Sequence, residues 1–344
     1  AAAISSRSTS RRQRSTSAEA SSRSRRHEAK ASALSTASVS RALTQAEIDG
    51  QKGHGLSRVP SYAAQARAGK VDGHATPKVK RTRAATLMID VANGFAYPAM
   101  DLAIAELPKI AAETGIAAAG FVRSHHFGVA GRHVERLAEK GLIALTVSNT
   151  PQAMAAWGGK RPVFGTNPLA FAAPRRDAPP LVIDMALSEV ARGKIVTAAQ
   201  KGEPIPLGWA VDANGQPTTD AKAALAGTLV PAGGAKGAAL ALMVETLAVA
   251  LTGANFAFEA SSFLDAEGPP PGAGQLLIAI DPAGFAGADT FADRFAVLAS
   301  LIEDDEGARL PGSRRLALRE QVAAGVINVD AKLLAEVVAL AGAN

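Results

Sequence analysis

The chain has 344 residues and 47% hydrophobic content, which predicts two or three units with substantial cores. It contains no cysteine, excluding disulfides, thiolate catalysis and Cys-ligated zinc, and a reducing compartment fits that usage. The net charge is +6, but eight basic and two acidic residues fall in the first thirty positions; the rest carries 29 of each sign, which argues against a nucleic-acid partner.

Residues 1 to 38 are rich in Ser, Arg and Ala, with almost no large hydrophobes beyond Ile4 and Leu34. Such a segment cannot offset its ordering entropy, so a disordered tail is expected. A basic arm on phosphates and an Arg/Ser-rich transit peptide are the alternatives, the first weakened by the lack of interleaved aromatics. Thr44 and Glu47 stand at capping-box spacing, predicting a short helix within 38–49 that Gly50 stops. His54 follows between Gly53 and Gly55, with Arg58 four residues on.

A strand is predicted over 85–91, a helix over 98–114 and a strand over 116–122 that leads into the His125-His126 turn. Residues 130–140 read as an amphipathic helix: Ala130, Val134 and Leu137 share the buried face, Arg132, Glu135, Arg136, Glu139 and Lys140 are solvated, and Gly141 closes it. A strand over 142–147 continues the alternation, which favours an α/β architecture. Beyond Trp157 come shorter strands and turns, including the turn signal Asp212-Ala-Asn-Gly215. A long helix follows Gly237, with Lys236 at its start, then a strand over 275–281 and helices over 291–304 and 330–340. The apolar run 238–251 is interrupted by Glu245 and falls short of the about 20 residues a bilayer span needs. The N-terminus lacks the apolar core of a secretory signal, so a cytoplasmic protein without a membrane partner is expected.

Arg grips a carboxylate through two parallel hydrogen bonds, and a nearby His can pass a proton near neutral pH. His54 and Arg58 fit that chemistry, though a plain surface pair would have the same spacing. His125 and His126 sit at a strand end, where sites are commonly built, and would equally serve as capping or core histidines; no local spacing supplies a third metal ligand. The runs Trp157-Gly-Gly-Lys160 and Gly233-Gly-Ala-Lys236-Gly237 can present backbone amides and an ammonium to a phosphate, or be simple turns. There is no GxGxxG, P-loop, HExxH, GxSxG or EF-hand pattern.

Six motifs in order resemble the malate/L-lactate dehydrogenase type 2 family of NAD(P)-dependent oxidoreductases. They are GHGLSR (53–58), SHHFG (124–128), FGTNP (164–168), IDMALSEVARGKI (183–195), GGAKG (233–237) and GARLPG (307–312). The resemblance covers about 45–340 and implies an α/β (α+β) fold. In it a non-Rossmann cofactor-binding domain with a mostly antiparallel sheet, over 123–284, is inserted in a substrate and dimerisation domain of 39–122 plus 285–344. It further implies a homodimer and a small-molecule carboxylate substrate. His54 and His126 would be the catalytic candidates, with the acid/base role divided between them, and Arg58 and Thr166 would bind substrate. The cofactor would lie along His126, Phe127, Gly128, Val129 and Ala130, along Asp184, Met185 and Ala186, and against Arg192, Gly193, Lys194 and Lys236. Arg309, Leu310, Pro311 and Gly312 would complete its site, with no metal.

GHGLSRVPSY and the stretch 259–275 resemble the branch that reduces Δ1-pyrroline-2-carboxylate and Δ1-piperideine-2-carboxylate; malate, lactate or ureidoglycolate-type hydroxyacid oxidation is the alternative. Two positions depart from the pattern. Gly53 stands where many relatives have Ser, and Lys194 where one imine-reductase pattern has Asp, so a Ser-His-Asp relay is absent in that form. Arg192 and Lys194 would suit the extra phosphate of NADP(H), which is favoured over NAD(H). The N-terminus also departs: relatives begin with two amphipathic helices, unlike residues 1–38.

Overall fold

The structure is a computed structural model describing residues 35–325 and 327–342. The first helix, α1, spans 35–48, so its start overlaps the predicted tail by four residues; the tail over 1–34 lies outside the described residues. Its capping box does not form. Leu43 and Ala46 are buried and carry the helix straight through Thr44, while the Glu47 carboxylate reaches forward to accept from the Leu56 amide at 3.1 Å.

Helix α2 (Val59–Arg67) begins beside Pro60, and an edge strand β1 (Lys78–Arg83) pairs with β2 (Thr86–Asp90). Helix α3 (Ala96–Thr114), strand β3 (Ile116–Ser124), helix α4 (Ala130–Ala138) and strand β4 (Ile143–Ser148) follow, close to the predicted alternation. Short strands β5 (Met154–Ala155) and β6 (Pro162–Phe164) precede a hairpin of β7 (Leu169–Arg175) and β8 (Ala178–Met185). Then come α5 (Arg192–Lys201), β9 (Ala210–Val211), α6 (Ala221–Ala226) and β10 (Thr228–Leu229). Helix α7 (Ala235–Glu245) runs on through a π turn (Thr246–Ala250), and β11 spans Ala273–Ile280. The last helices are α8 (Ala288–Glu303), α9 (Ser313–Ala323) and α10 (Ala331–Gly342).

Seven strands form one sheet in the order β1-β2-β3-β11-β4-β7-β8, and only the β2–β3 ladder is parallel. The late strand β11 therefore sits at the centre, joining β3 to β4 across the residue-122 boundary drawn from the sequence. Its side chains alternate as a two-sided strand requires: Leu277 and Ala279 face the core under α3 and α4, Leu276 and Ile278 the core under α7. Alanines 117, 119, 144, 170 and 172 give the first face a low surface, so α3 and α4 pack closely without large rings. A second, four-stranded sheet has the order β6-β5-β10-β9. Among the described residues no helix is long and apolar enough to cross a membrane.

One assignment on α4 is overturned. Glu135, expected in solvent, is 1% exposed, because arginines from α9 reach it from a segment far along the chain. Helices α2, α5 and α9 were not foreseen; each buries at most two residues, so none writes a clear apolar stripe.

Candidate active site

The chain leaves β3 at Ser124 and crosses through His125, His126, Phe127 and Gly128 to α4. Gly128 has φ +73°, and a Cβ there would lie 2.7 Å from the Tyr97 hydroxyl, so the crossing needs glycine. Both histidines are buried, at 1% and 7% exposure. His125 Nε2 meets Gln65 Oε1 at 2.7 Å, and His126 Nδ1 meets the Tyr62 hydroxyl at 2.6 Å, which in turn meets Tyr97 at 3.1 Å. Burial pushes Tyr62 up to about 12 and Tyr97 well above its ordinary value, so both hydroxyls keep their protons. Burial, then Arg58, pulls His126 well below the usual range, so it is neutral. The imidazole nitrogen is the better acceptor, so Tyr62 donates to Nδ1 and the ring proton resides on Nε2.

His54 arrives on a 3-10 turn (Lys52–His54) joined through Gly55 to a second (Leu56–Arg58). A Cβ on Gly55 would fall 2.2 Å from Glu47 Oε2 and 3.2 Å from the Glu47 amide; glycine is what lets this turn press against α1. The turn delivers the His54 ring onto His126, with centroids 5.1 Å apart and planes within 14°. Burial and then the Arg58 charge lower His54 to about 4. Its Nδ1 is buried with no hydrogen-bond partner among the described residues. Arg58 Nε donates to the Gly53 carbonyl at 2.7 Å, and no carboxylate pairs with this guanidinium among the described residues. Arg58, Tyr62 and Gln65 fall at positions i, i+4 and i+7, one face at the start of α2. That spacing was available in the sequence and would have found Tyr62 and Gln65.

On the other side of the crossing, Phe127, Val129 and Ala130 are buried and offer only backbone. Asp184 Oδ2 accepts from the Gly131 amide at 2.8 Å, which draws the end of β8 to the first turn of α4. Met185 is exposed and Ala186 half-buried, and the Leu187 amide donates to the Thr166 carbonyl at 2.8 Å, setting Thr166 beside this strand end. The Thr166 amide itself donates to Thr150 Oγ1 at 2.9 Å. Leu310 packs with Leu181 and Ala299, Gly312 lies close to the Val182 carbonyl, and Arg309 and Pro311 are exposed. Arg192 Nη2 reaches the Leu225 carbonyl at 3.4 Å, Lys194 Nζ lies 5.8 Å over the Trp209 ring, and Gly193 faces open space. Lys236 is exposed in the first turn of α7, behind Gly233 and Gly234.

A group of residues missed in the sequence fixes the segment before α9. Glu135 is paired with Arg132 at 2.9 Å, Arg315 at 3.0 Å and Arg319 at 2.7 Å, and Arg319 also grips both Asp49 oxygens at 2.6 and 2.7 Å. Arg315 is 8% exposed, and its Nε has no hydrogen-bond partner among the described residues. Helices α5, α7 and α9 begin without a side-chain cap, which leaves first-turn amides available to a ligand, whereas in α4 the Gly131 amide is taken by Asp184. Open helix N termini and a buried guanidinium with an unused donor fit an anionic dinucleotide. Among the described residues, no group of three or more His, Cys, Asp or Glu is placed to hold a metal.

The chain is similar to known proteins along most of its length. The chain is 52% identical over 282 residues to a (2R)-3-sulfolactate dehydrogenase (NADP(+)) of Chromohalobacter salexigens, covering 82% of this chain and 84% of that one. It is 44% identical over 280 residues to a Δ1-pyrroline-2-carboxylate/Δ1-piperideine-2-carboxylate reductase of Pseudomonas putida, covering 80% and 81%. The crystal structure of Δ1-piperideine-2-carboxylate reductase from Pseudomonas syringae superposes with a TM-score of 0.84 at 38% identity, over 89% of this chain and 92% of that one. The malate/L-lactate dehydrogenase family model matches residues 18–338, and the chain belongs to that family of NAD(P)-dependent oxidoreductases.

Proposed function

We propose that the chain is an NADP(H)-dependent reductase of a cyclic imine carboxylate, Δ1-pyrroline-2-carboxylate or Δ1-piperideine-2-carboxylate. The observation that carries this reading is the charge balance at the histidine pair. Arg58 is the cation common to the lowered proton affinities of His54, His125 and His126, and the rings of Tyr62 and Phe263 flank His126. One guanidinium suits one carboxylate, and aromatic faces suit an apolar ring. Lys70, the other cation acting on His125, is engaged by Asp265.

Bound NADPH would supply a hydride to the carbon alpha to the carboxylate. Arg58 grips the carboxylate and sets the approach. That carboxylate offsets the Arg58 charge, one of the two causes that hold His54 at about 4, so substrate binding raises the proton affinity of His54. His54 then passes a proton to the substrate nitrogen, while His126 presents its Nε2 proton beside it as a neutral donor. Thr166 contacts substrate from the strand end at Ala186. The backbone of His126, Phe127, Gly128, Val129 and Ala130, that of Asp184, Met185 and Ala186, and Arg192, Gly193, Lys194, Lys236 and the segment Arg309, Leu310, Pro311, Gly312 hold the cofactor. The NADP(+) in the name of the Chromohalobacter relative supports NADP(H) over NAD(H).

This reading takes 123–284 as a non-Rossmann cofactor unit within a unit of 39–122 plus 285–344, in a cytoplasmic homodimer. Leu242, Leu251 and Leu301, each more than half exposed, support a subunit interface, which light scattering would check. A second reading, oxidation of a 2-hydroxyacid, is favoured by the 52% identity to a sulfolactate dehydrogenase. A sulfonate adds a second negative charge, which one guanidinium does not match. NADPH oxidation followed by absorbance, with Δ1-pyrroline-2-carboxylate against 3-sulfopyruvate, decides between them: a kcat/KM tenfold higher for the sulfonate overturns the imine reading.

A further inference from the structure

Phe263, whose ring flanks His126, belongs to the loop between the π turn and β11, a Pro- and Gly-rich stretch. Its ring is 7% exposed and lies 5.1 Å from His125 and 5.5 Å from His126, centroid to centroid. Two side chains hold the loop there from beneath. Gln65 Nε2 donates to the Phe263 carbonyl at 2.9 Å, and Lys70 Nζ donates to the Asp265 carbonyl and to its Oδ1, both at 3.1 Å.

These anchors are specific. The Lys70 side chain is 1% exposed, and an ammonium that deep is tolerated only when paired. Gln65 is fully buried and bridges two partners. The Phe263 carbonyl can only accept, so it fixes the amide with its NH2 toward the loop. Gln65 Oε1 is thereby turned to His125 Nε2, which must donate, and His125 is held as the neutral Nε2–H tautomer. One amide thus sets both the position of Phe263 and the orientation of the histidine next to His126.

We propose that Phe263 is a specificity-determining residue: its face is the apolar wall against which the ring of a cyclic imine carboxylate lies, with Gln65 and Lys70 as positioning residues for that wall. The substrate class rests on the imine-reductase reading. Truncating the wall removes contact with a five- or six-membered ring, while a three-carbon 2-oxo acid has little to lose.

The test compares kcat/KM for Δ1-piperideine-2-carboxylate and for pyruvate in wild type, Phe263→Ala and Phe263→Leu, with melting temperatures measured alongside; the leucine variant serves if the alanine one does not fold. The expected result is a ring-to-pyruvate ratio at least tenfold lower in Phe263→Ala, mostly through KM, and lower to a smaller extent in Phe263→Leu. Lys70→Met is expected to move the ratio the same way and to speed proteolytic cleavage within 259–272. An equal loss on both substrates, or an unchanged ratio, overturns the proposal. If wild type reduces pyruvate and not the imine, the imine reading fails while the wall is still judged by 4-methyl-2-oxopentanoate against pyruvate under the same criterion. Unaltered cleavage in Lys70→Met overturns the anchoring role whatever the substrate.

Discussion

The crossing from His125 to Ala130 separates two buried polar clusters that handle charge in opposite ways. On one side, His54, His125, His126, Tyr62 and Tyr97 are kept neutral by burial, with Arg58 as their shared cation. On the other, Glu135 remains charged because arginines face it: Arg319 holds it below the usual carboxylate range and, gripping Asp49 as well, has its own proton affinity pushed well up. Burial alone therefore does not decide ionisation; the partner does. Proton transfer needs groups that are near neutral and weakly held. Joining α1, α4 and α9 rests on carboxylates that face arginines across the helices.

Removing the reacting group is expected to break the first cluster most. His54→Ala is expected to lower kcat by about 100- to 10,000-fold, the usual contribution of a positioned acid or base, with an unchanged melting temperature. Turnover within a few-fold of wild type would remove His54 from the chemistry. Glu135→Ala strikes the second cluster. It leaves Arg132, Arg315 and Arg319 without their common carboxylate, and breaking a buried pair from one side costs about 3–5 kcal/mol. Urea unfolding is expected to show that loss; a change under about 1 kcal/mol would mean that water or motion replaces the pairing.

The contrast between the clusters also explains what could be read in the sequence. Helices α3 and α4 announced themselves because their apolar residues recur at helical spacing. The same spacing places Glu135 in solvent, where a charge on an amphipathic helix belongs unless something distant meets it, and Arg319 lies 184 positions away. The meeting of His54 with His126 has no local signal either, and came from the resemblance of ordered motifs to a family. Strand β11 reads as one more strand, yet its place at the sheet centre is set by long-range pairing that no periodicity encodes. Phe263 falls in the stretch 259–275, whose resemblance to the imine-reductase branch singles out no one side chain, because its anchors are single side chains from α2 and the turn after it.

Acid should separate the clusters by the pH at which each loosens. His133, buried on α4 with its Nε2 donating to the Phe127 carbonyl at 2.7 Å, joins the neutral group: His54, His125 and His133 fall from 6.5 to about 4, about 3 and about 4 on folding, so the unfolded chain binds more protons below pH 6.5. Their contribution is fully present above that value and is lost as pH falls toward 4 and 3. Glu135 is depressed below 4.5, so its contribution is lost only in more acid solution. Melting temperature is expected to fall from about pH 6.5 downward, and less steeply in His133→Gln. A profile flat to pH 5 would show that these histidines are not held neutral.

The smallest expected effect bears on how finely the neutral cluster is set. Tyr62→Phe keeps the ring against Phe95 and removes only the hydroxyl between Tyr97 and His126 Nδ1. Without that donor, His126 is free to carry its proton on either nitrogen, and only the Nε2 form presents a hydrogen to the cleft. A net hydrogen bond is worth about 1 kcal/mol, so kcat is expected to fall about three- to tenfold with KM little changed. A structural loss would instead lower the melting temperature and scale both constants. If kcat is unmoved, either the Nδ1 contact does not choose the tautomer or His126 has no part in proton delivery. Repeating the substitution in His126→Gln separates the two: additive losses would show that Tyr62 acts elsewhere, whereas no further loss would show that it acts through the imidazole.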